Sequence, residues 1–174
     1  GKEVNLLAPA LSSIDILDIA HHEAQINRYN GGCAFTYSVA QHSWLASHLY
    51  PDSHPLSLAI LMHDGAETYV GDDVKQKKNI VQGTKELEDR LQRAICEKYG
   101  LPWPLPLQVK RADLAIYALE LVTVLGWKHK VKCLPAAVRH LAIEPMDWKD
   151  ARHLFFSRFY KLYYGTRTVR FKTG

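Results

Sequence analysis

The stretch LMHDGAETYVGDD, residues 61–73, joins an apolar run to a cluster of charged side chains. His63 and Asp64 are adjacent and Glu67 follows one helical turn later, so on a helix the three side chains would crowd one face. The neighbouring residues LAILM are too apolar for a solvent-exposed stripe, which indicates that the cluster lies where the helix enters the core. Buried carboxylates need a proton or a cation nearby. A bound divalent metal ion is the simplest way to meet that need.

The rest of the sequence predicts an all-α protein. Apolar residues recur at helical spacing in the long segments, and no convincing strand-type alternation is present. In one of these segments Ser38 and Gln41 have the spacing of a capping box. With 174 residues and no repeat or linker, the chain is expected to form one domain over residues 1–174. Helices are predicted over residues 14–27, 38–50, 55–71, 84–99, 107–125 and 148–163. Residues 126–146 carry no clear pattern of secondary structure.

Composition restricts the class of protein and its partners. The three cysteines are odd in number and share no CxxC spacing, which argues against a disulfide framework and fits a reducing compartment. No run approaches the roughly 18 apolar residues of a membrane span, and the first residues lack the apolar block of a secretory signal. We therefore expect a cytoplasmic protein without a membrane partner. The net charge of +4 is compatible with a nucleotide substrate but too small to predict binding to duplex nucleic acid.

Two further polar residues are expected to point into the core. In YSVAQHSWLASHLY, residues 37–50, the apolar face includes His42, and in VKRADLAIYALELV, residues 109–122, it includes Asp113 as the one acidic residue. A single inward histidine is more often a hydrogen-bonded core residue than a metal ligand. A single inward aspartate is harder to explain without a cation. From the residues alone, both roles stay open for His42.

These residues together carry a resemblance to a known family. His42, the His63–Asp64 pair and Asp113, in this order on a helical frame, resemble the H…HD…D signature of the HD-domain metal-dependent phosphohydrolases. YSVAQHS and HDGAETYVGDD also resemble the longer pattern of the branch that contains bacterial 5'-deoxynucleotidases and small phage dATP triphosphohydrolases. The likeness covers nearly the whole chain, and its length is similar to that of the phage enzymes. The resemblance implies an HD-domain helical bundle over the single domain.

The resemblance also implies a metal-dependent mechanism. One divalent ion, Zn, Co, Mn or Mg, would be held by the four signature residues His42, His63, Asp64 and Asp113. Such an ion lowers the pKa of bound water and neutralises charge that develops on phosphorus. Glu67 would orient or deprotonate the attacking water, or protonate the leaving oxygen. Asp72, just past Gly71, would take the place of the family's second acidic residue.

Substrate recognition is expected to use cations and one aromatic ring. Arg28 resembles a family arginine that faces the phosphate, and a guanidinium binds phosphate oxygens bidentately. Tyr29 stands where the bacterial nucleotidases carry a tryptophan against the deoxyribose. Lys75, Lys77 and Lys78 exceed what one monophosphate needs and favour a polyphosphate, although they would also suit a merely basic, solvated loop. The expected partner is therefore a deoxynucleotide, with dATP preferred.

Three functions remain open from the sequence. The first is a triphosphohydrolase that converts dATP to deoxyadenosine and triphosphate, and the second is a 5'-deoxynucleotidase acting on deoxynucleoside monophosphates. The third is a non-catalytic nucleotide-binding module with a structural metal. The aromatic helix WKDARHLFFSRFYKLYY, residues 148–164, offers more apolar surface than one core face uses, so a homo-oligomer is also expected.

Overall fold

The computed structural model of the chain is all-α, as the sequence predicts. It describes residues 1–51, 53–72 and 80–168, with side chains up to residue 165. In these ranges there is no β-strand, and an isolated bridge joins Asn27 and Ser38. None of the described helices combines the length and apolar character needed to cross a membrane. The helices are α1 (Ile16–Gln25), α2 (Val39–Ala46), α3 (His54–Leu61), α4 (Glu67–Val70), α5 (Thr84–Tyr99), α6 (Leu107–Thr123) and α7 (Trp148–Thr168).

Helices α2 and α3 form the centre of the bundle and pack against α7 on one side and α6 on the other. On one side α7 packs across α1, α2 and α3, with Phe155 and Phe159 almost completely buried. On the other side α6 packs against α2 and α3 through a second apolar cluster around Ile60 and Ile116. Burial of these large side chains is the main force that holds the helices together. Polar side chains on α2 and α6 therefore meet inside the protein.

The predicted helix over residues 55–71 is wrong as a continuous element. Helix α3 ends at Leu61, residues 62–66 form a turn, and α4 begins at Glu67. At Gly65 a Cβ atom would lie 3.1 Å from Ile95 Cδ1 on α5 and 3.2 Å from the Met62 carbonyl oxygen. The absence of a side chain therefore lets the turn pack closely against α5. The turn carries His63 and Asp64.

The other predicted helices are present, one with the predicted ends and the rest with shifted ends. The prediction over 84–99 matches α5, which ends at a left-handed Gly100. Ser38 caps α2 as expected, because its side chain accepts a hydrogen bond from the Gln41 amide at 3.2 Å. Helices α1, α2 and α6 are shorter than predicted and α7 is longer. Residues 126–146 contain the short 3-10 helices Lys128–Lys130 and Ala136–Val138.

Candidate metal centre

Two hydrogen bonds from one side chain fix the turn that carries His63 and Asp64. Gln92, on α5, donates from Nε2 to the Met62 carbonyl at 2.7 Å and accepts from the Ala66 amide at 3.0 Å. Its side chain is buried, so neither bond competes freely with bulk water. Gln92 thereby joins both ends of the 62–66 turn to α5. Sequence reasoning missed this residue, because a single glutamine in an amphipathic helix carries no distinguishing signal.

The four residues of the H…HD…D signature come together between α2, the turn and α6. The ligand atoms of His42, His63 and Asp113 all lie within 4.8 Å of one another, a group that could hold a metal ion. Asp64 Oδ2 lies 3.3 Å from His63 Nε2 and 3.9 Å from His42 Nε2, and Asp113 Oδ1 lies 3.4 Å from His42 Nε2. Two imidazoles and carboxylate oxygens are a donor set that suits a borderline or hard divalent ion.

Hydrogen bonds at Nδ1 set the orientation of both imidazole rings. His63 Nδ1 lies 2.7 Å from the Ile60 carbonyl oxygen, and His42 Nδ1 lies 2.5 Å from Glu120 Oε1. Both partners are acceptors, so Nδ1 carries a proton in each ring, and Nε2 is the atom that can bind a metal ion. Both Nε2 atoms are buried and have no hydrogen-bond partner among the described residues. This arrangement fits a metal ion.

The charges around the cluster favour a cation between the carboxylates. Burial and the Arg28 charge act to lower the pKa of His42, but the nearby Glu120 and Asp113 carboxylates outweigh them and raise it to about 9. Burial alone would raise the pKa of Asp113, but His42 and His63 hold it well below its usual value. Lys110 Nζ also donates to Asp113 Oδ2 at 2.6 Å. A metal ion at the Nε2 atoms would take over the position of the proton that His42 holds.

Of the two predicted acidic catalytic residues, Glu67 lies beside the signature residues, and Asp72 lies just beyond the end of α4. Glu67 is the first residue of α4, is 6% exposed, and lines a cleft of about 250 Å³ together with His63 and Asp64. Asp72 follows Gly71, whose φ of 84° ends α4 in a conformation that favours glycine. The Asp72 charge contributes to a raised pKa of the Cys33 thiol, behind the effects of burial and Glu120.

Of the predicted substrate-binding residues, Arg28 and Tyr29 are described and the lysines are not. Arg28 is buried and donates from NH1 to Asp64 Oδ2 at 3.5 Å and from NH2 to Glu120 Oε2 at 3.3 Å. Tyr29 has its hydroxyl on Glu120 Oε2. Both belong to the short segment Arg28–Gly31, whose two central residues have positive, non-helical φ values and which lies beside the cluster. The predictions for Lys75, Lys77 and Lys78 fall outside the described residues.

Glu120 is a second residue beside the cluster that the sequence prediction missed. The expectation that Asp113 is the one inward acidic residue of its helix is wrong, because Glu120 on α6 is 0% exposed. Despite this burial, the charges of His42 and Arg28 hold the pKa of Glu120 at about 2. A signal was available, since positions seven apart on a helix share a face and Glu120 follows Asp113 by seven.

Two curated proteins are similar to this chain, whereas no protein-family model matches it. RCAP_rcc00048 of Rhodobacter capsulatus, described as an uncharacterized protein, is 34% identical over 180 residues, or 93% of this chain and 92% of the relative. The uncharacterized protein YfdR of Escherichia coli is 39% identical over 107 residues, or 62% of this chain and 59% of that protein. Because the first alignment spans nearly the full length of both proteins, the chain belongs to the same protein family as RCAP_rcc00048.

Proposed function

We propose that the chain is a metal-dependent phosphohydrolase of deoxynucleotides that converts dATP to deoxyadenosine and triphosphate. The observation that carries the proposal is the pair of buried Nε2 atoms, on His42 and His63, that have no hydrogen-bond partner among the described residues and face the Asp64 and Asp113 carboxylates. A core histidine pair would be expected to satisfy these nitrogens with protein partners. Ligation of one divalent ion, Zn, Co, Mn or Mg, explains why they are left open.

The side chains around the cluster have the chemistry for phosphate hydrolysis. When bound, the ion would supply Lewis acidity toward a phosphate oxygen and a lowered pKa for attacking water. Glu67 lies on the wall of the cleft beside His63 and Asp64, where its carboxylate can accept a proton from water or return one to the leaving oxygen. Arg28 lies next to Asp64, where its guanidinium can balance phosphate charge.

A deoxynucleoside monophosphate is the alternative substrate, and one observation favours it. Besides the residues of the turn, the cleft is lined by the acidic residues Glu88 and Asp89 together with Trp103 and Leu105. Among the described lining residues there is no lysine or arginine. Such a wall repels a triphosphate more than a monophosphate wherever its charge is not compensated. Lys85 Nζ pairs with Asp89 Oδ2 at 2.6 Å, and Lys75, Lys77 and Lys78 would supply further positive charge. The contribution of Lys75, Lys77 and Lys78 to binding of each substrate therefore distinguishes the two proposals.

Product analysis decides between the two substrates. The protein, loaded in turn with Mn²⁺, Co²⁺, Zn²⁺ and Mg²⁺, is incubated with deoxy- and ribonucleoside mono-, di- and triphosphates. Triphosphate and deoxyadenosine from dATP are expected. Orthophosphate from dAMP, with dATP untouched, would replace the proposal by the 5'-deoxynucleotidase. Binding of metal and nucleotide without hydrolysis of any compound would show a non-catalytic binding module.

Alanine variants of the cations test how the phosphates are recognised. Lys75→Ala, Lys77→Ala and Lys78→Ala should lower kcat/KM for dATP by about 10- to 150-fold wherever a charge-assisted contact is lost, and should affect dAMP little. Arg28→Ala should lower kcat/KM for both substrates. Lys132→Ala, at an exposed position in the 126–146 segment, is the matched control and should change neither value. Three unchanged lysine variants would refute triphosphate recognition by this segment.

We also propose that the protein forms a homo-oligomer through the outer face of α7. Tyr160 and Tyr164 are 57% and 46% exposed and their rings lie 4.6 Å apart, forming an aromatic patch on this helix. Sedimentation of the wild type should show a species larger than the monomer, and Tyr160→Lys should shift it toward the monomer. A monomeric wild type at every concentration tested would refute this proposal.

A further inference from the structure

The buried carboxylate of Glu120 joins two groups of residues that the proposed function assigns to different tasks. Oε1 accepts from His42 Nδ1 at 2.5 Å and from the Tyr37 hydroxyl at 2.9 Å. Oε2 accepts from Arg28 NH2 at 3.3 Å and from the Tyr29 hydroxyl. A carboxylate has roughly four lone-pair sites, so these four donors satisfy it fully. Oε1 therefore holds the ring of His42, a proposed metal ligand. Oε2 holds Arg28 and Tyr29, in the segment proposed to bind phosphate.

On the Oε1 side, Glu120 determines which nitrogen of His42 can bind a metal. Because the carboxylate accepts from Nδ1, the proton stays on that atom and Nε2 faces the centre of the cluster. A carboxylate behind a ligating histidine fixes the orientation of the ring and raises its basicity. The hydroxyl of Tyr37, which is 0% exposed, donates to the same oxygen. His42 therefore cannot rotate away without breaking a buried, charge-assisted hydrogen bond.

On the Oε2 side, Glu120 holds a backbone segment in an unfavourable conformation. Tyr29 and Asn30 have φ values of 57° and 52°, in the left-handed region, which asparagine tolerates but a bulky residue such as tyrosine rarely adopts. Such a conformation persists only where other contacts enforce it. The bonds of Glu120 to the side chains of Arg28 and Tyr29 supply two of these contacts. They aim the Arg28 guanidinium at Asp64, where NH1 lies 3.5 Å from Oδ2.

We propose that Glu120 is a positioning residue that couples the metal centre to the anion-binding segment Arg28–Gly31. The inference rests on the proposed function for the tasks of the two groups, but the contacts of Glu120 are independent of any reaction. Glu120→Gln removes the charge and replaces one acceptor oxygen by an NH₂ donor. In either orientation of the amide, this NH₂ group faces two donors and cannot accept a hydrogen bond from either of them. Both the ring of His42 and the Arg28–Gly31 segment should then lose their fixed positions.

Binding measurements test this coupling without any need for hydrolysis. Zn²⁺ affinity is measured by competition with a chelator, and affinity for inorganic phosphate is measured by calorimetry at saturating Zn²⁺. Glu120→Gln should weaken Zn²⁺ binding by about 10- to 100-fold and should also weaken phosphate binding. Tyr29→Phe removes a donor to Oε2 only, so it should weaken phosphate by about 2- to 10-fold and leave Zn²⁺ affinity unchanged. Glu97→Gln, an exposed carboxylate on α5, is the matched control and should change neither affinity.

The histidine ring reports directly whether Glu120 holds the proton on Nδ1 of His42. In the Zn²⁺-loaded wild type, proton–nitrogen NMR should show His42 with a proton on Nδ1, shifted downfield and slow to exchange. If Glu120→Gln does not fold, this spectrum and the Tyr29→Phe affinities decide the question. An unprotonated Nδ1 on His42, or a Tyr29→Phe variant that binds phosphate as the wild type does, would overturn the proposal. So would unchanged Zn²⁺ affinity in a folded Glu120→Gln protein. Absence of nucleotide hydrolysis would affect only the proposed function.

Discussion

Replacement of Gln92 tests whether the turn that carries His63 and Asp64 is held from α5. Gln92→Met keeps nearly the same side-chain length but removes the donor to the Met62 carbonyl and the acceptor for the Ala66 amide. Methionine fits an apolar environment, and the adjacent part of α5 is buried. The change therefore removes two hydrogen bonds with little change in packing.

The expected loss of stability follows from the surroundings of the two freed groups. A buried polar group left without a partner costs about 1–3 kcal/mol. The Met62 carbonyl keeps the bond from the Gly65 amide at 3.2 Å, so there the change removes one hydrogen bond, worth about 0.5–1.5 kcal/mol. The amide of Ala66, a residue only 5% exposed, loses the partner that Gln92 supplies and carries the larger cost. We expect the free energy of unfolding to fall by about 2–4 kcal/mol. For a chain of this size that corresponds to a decrease in Tm of about 4–16 °C.

Thermal and urea unfolding of metal-free protein measure this loss, and Zn²⁺ titration measures its effect on the cluster. Loosening of the turn should also weaken Zn²⁺ binding by about tenfold or more, since His63 and Asp64 would lose their fixed positions. Gln108→Met, at an exposed position of α6, is the control and should leave both properties unchanged. Wild-type Tm and Zn²⁺ affinity in Gln92→Met would refute the idea that this side chain holds the turn.

Three further substitutions test individual carboxylates. Asp113→Ala should remove about a quarter of the binding free energy of a four-ligand site, which corresponds to Zn²⁺ binding weakened by roughly 100- to 1,000-fold. Full metal occupancy in the variant would exclude Asp113 as a ligand. Glu67→Gln should keep metal and nucleotide affinity but lower kcat by about 100-fold or more, whereas loss of metal would make Glu67 a ligand. Burial, followed by the charge of Asp64, raises the pKa of the fully buried Glu23 well above 4.5. Above about pH 4.5 the Glu23 carboxyl is ionised in the unfolded chain but keeps its proton in the folded chain. The free energy of unfolding of metal-free protein should therefore fall by up to about 1.4 kcal/mol for each unit rise in pH. Glu23→Gln should reduce this slope, and equal slopes in urea unfolding from pH 5 to 7 would contradict the assignment.

The amino-acid sequence by itself determined the helical class and several helix ends. The period of apolar residues is a property of neighbours in the chain, so it predicts α5 over Thr84–Tyr99 without knowledge of the fold. The capping hydrogen bond at Ser38 is equally local, because donor and acceptor are three residues apart. The order of His42, the His63–Asp64 pair and Asp113 was sufficient to name the residues that the structure brings together.

The tertiary structure alone decided where the helix after Pro55 breaks and what lies behind the ligands. The apolar pattern continues through residues 58–62, and the break at 62–66 depends on the approach of Ile95 and on the two bonds from Gln92, which lie about 30 residues further along the chain. Glu120 shares a helix face with Asp113, yet its four donors come from residues 78–92 positions earlier. Hydrogen bonds and charge pairs between distant segments leave no periodic pattern in the sequence. Whether a polar side chain is solvated or satisfies a buried partner is therefore fixed only when the helices pack.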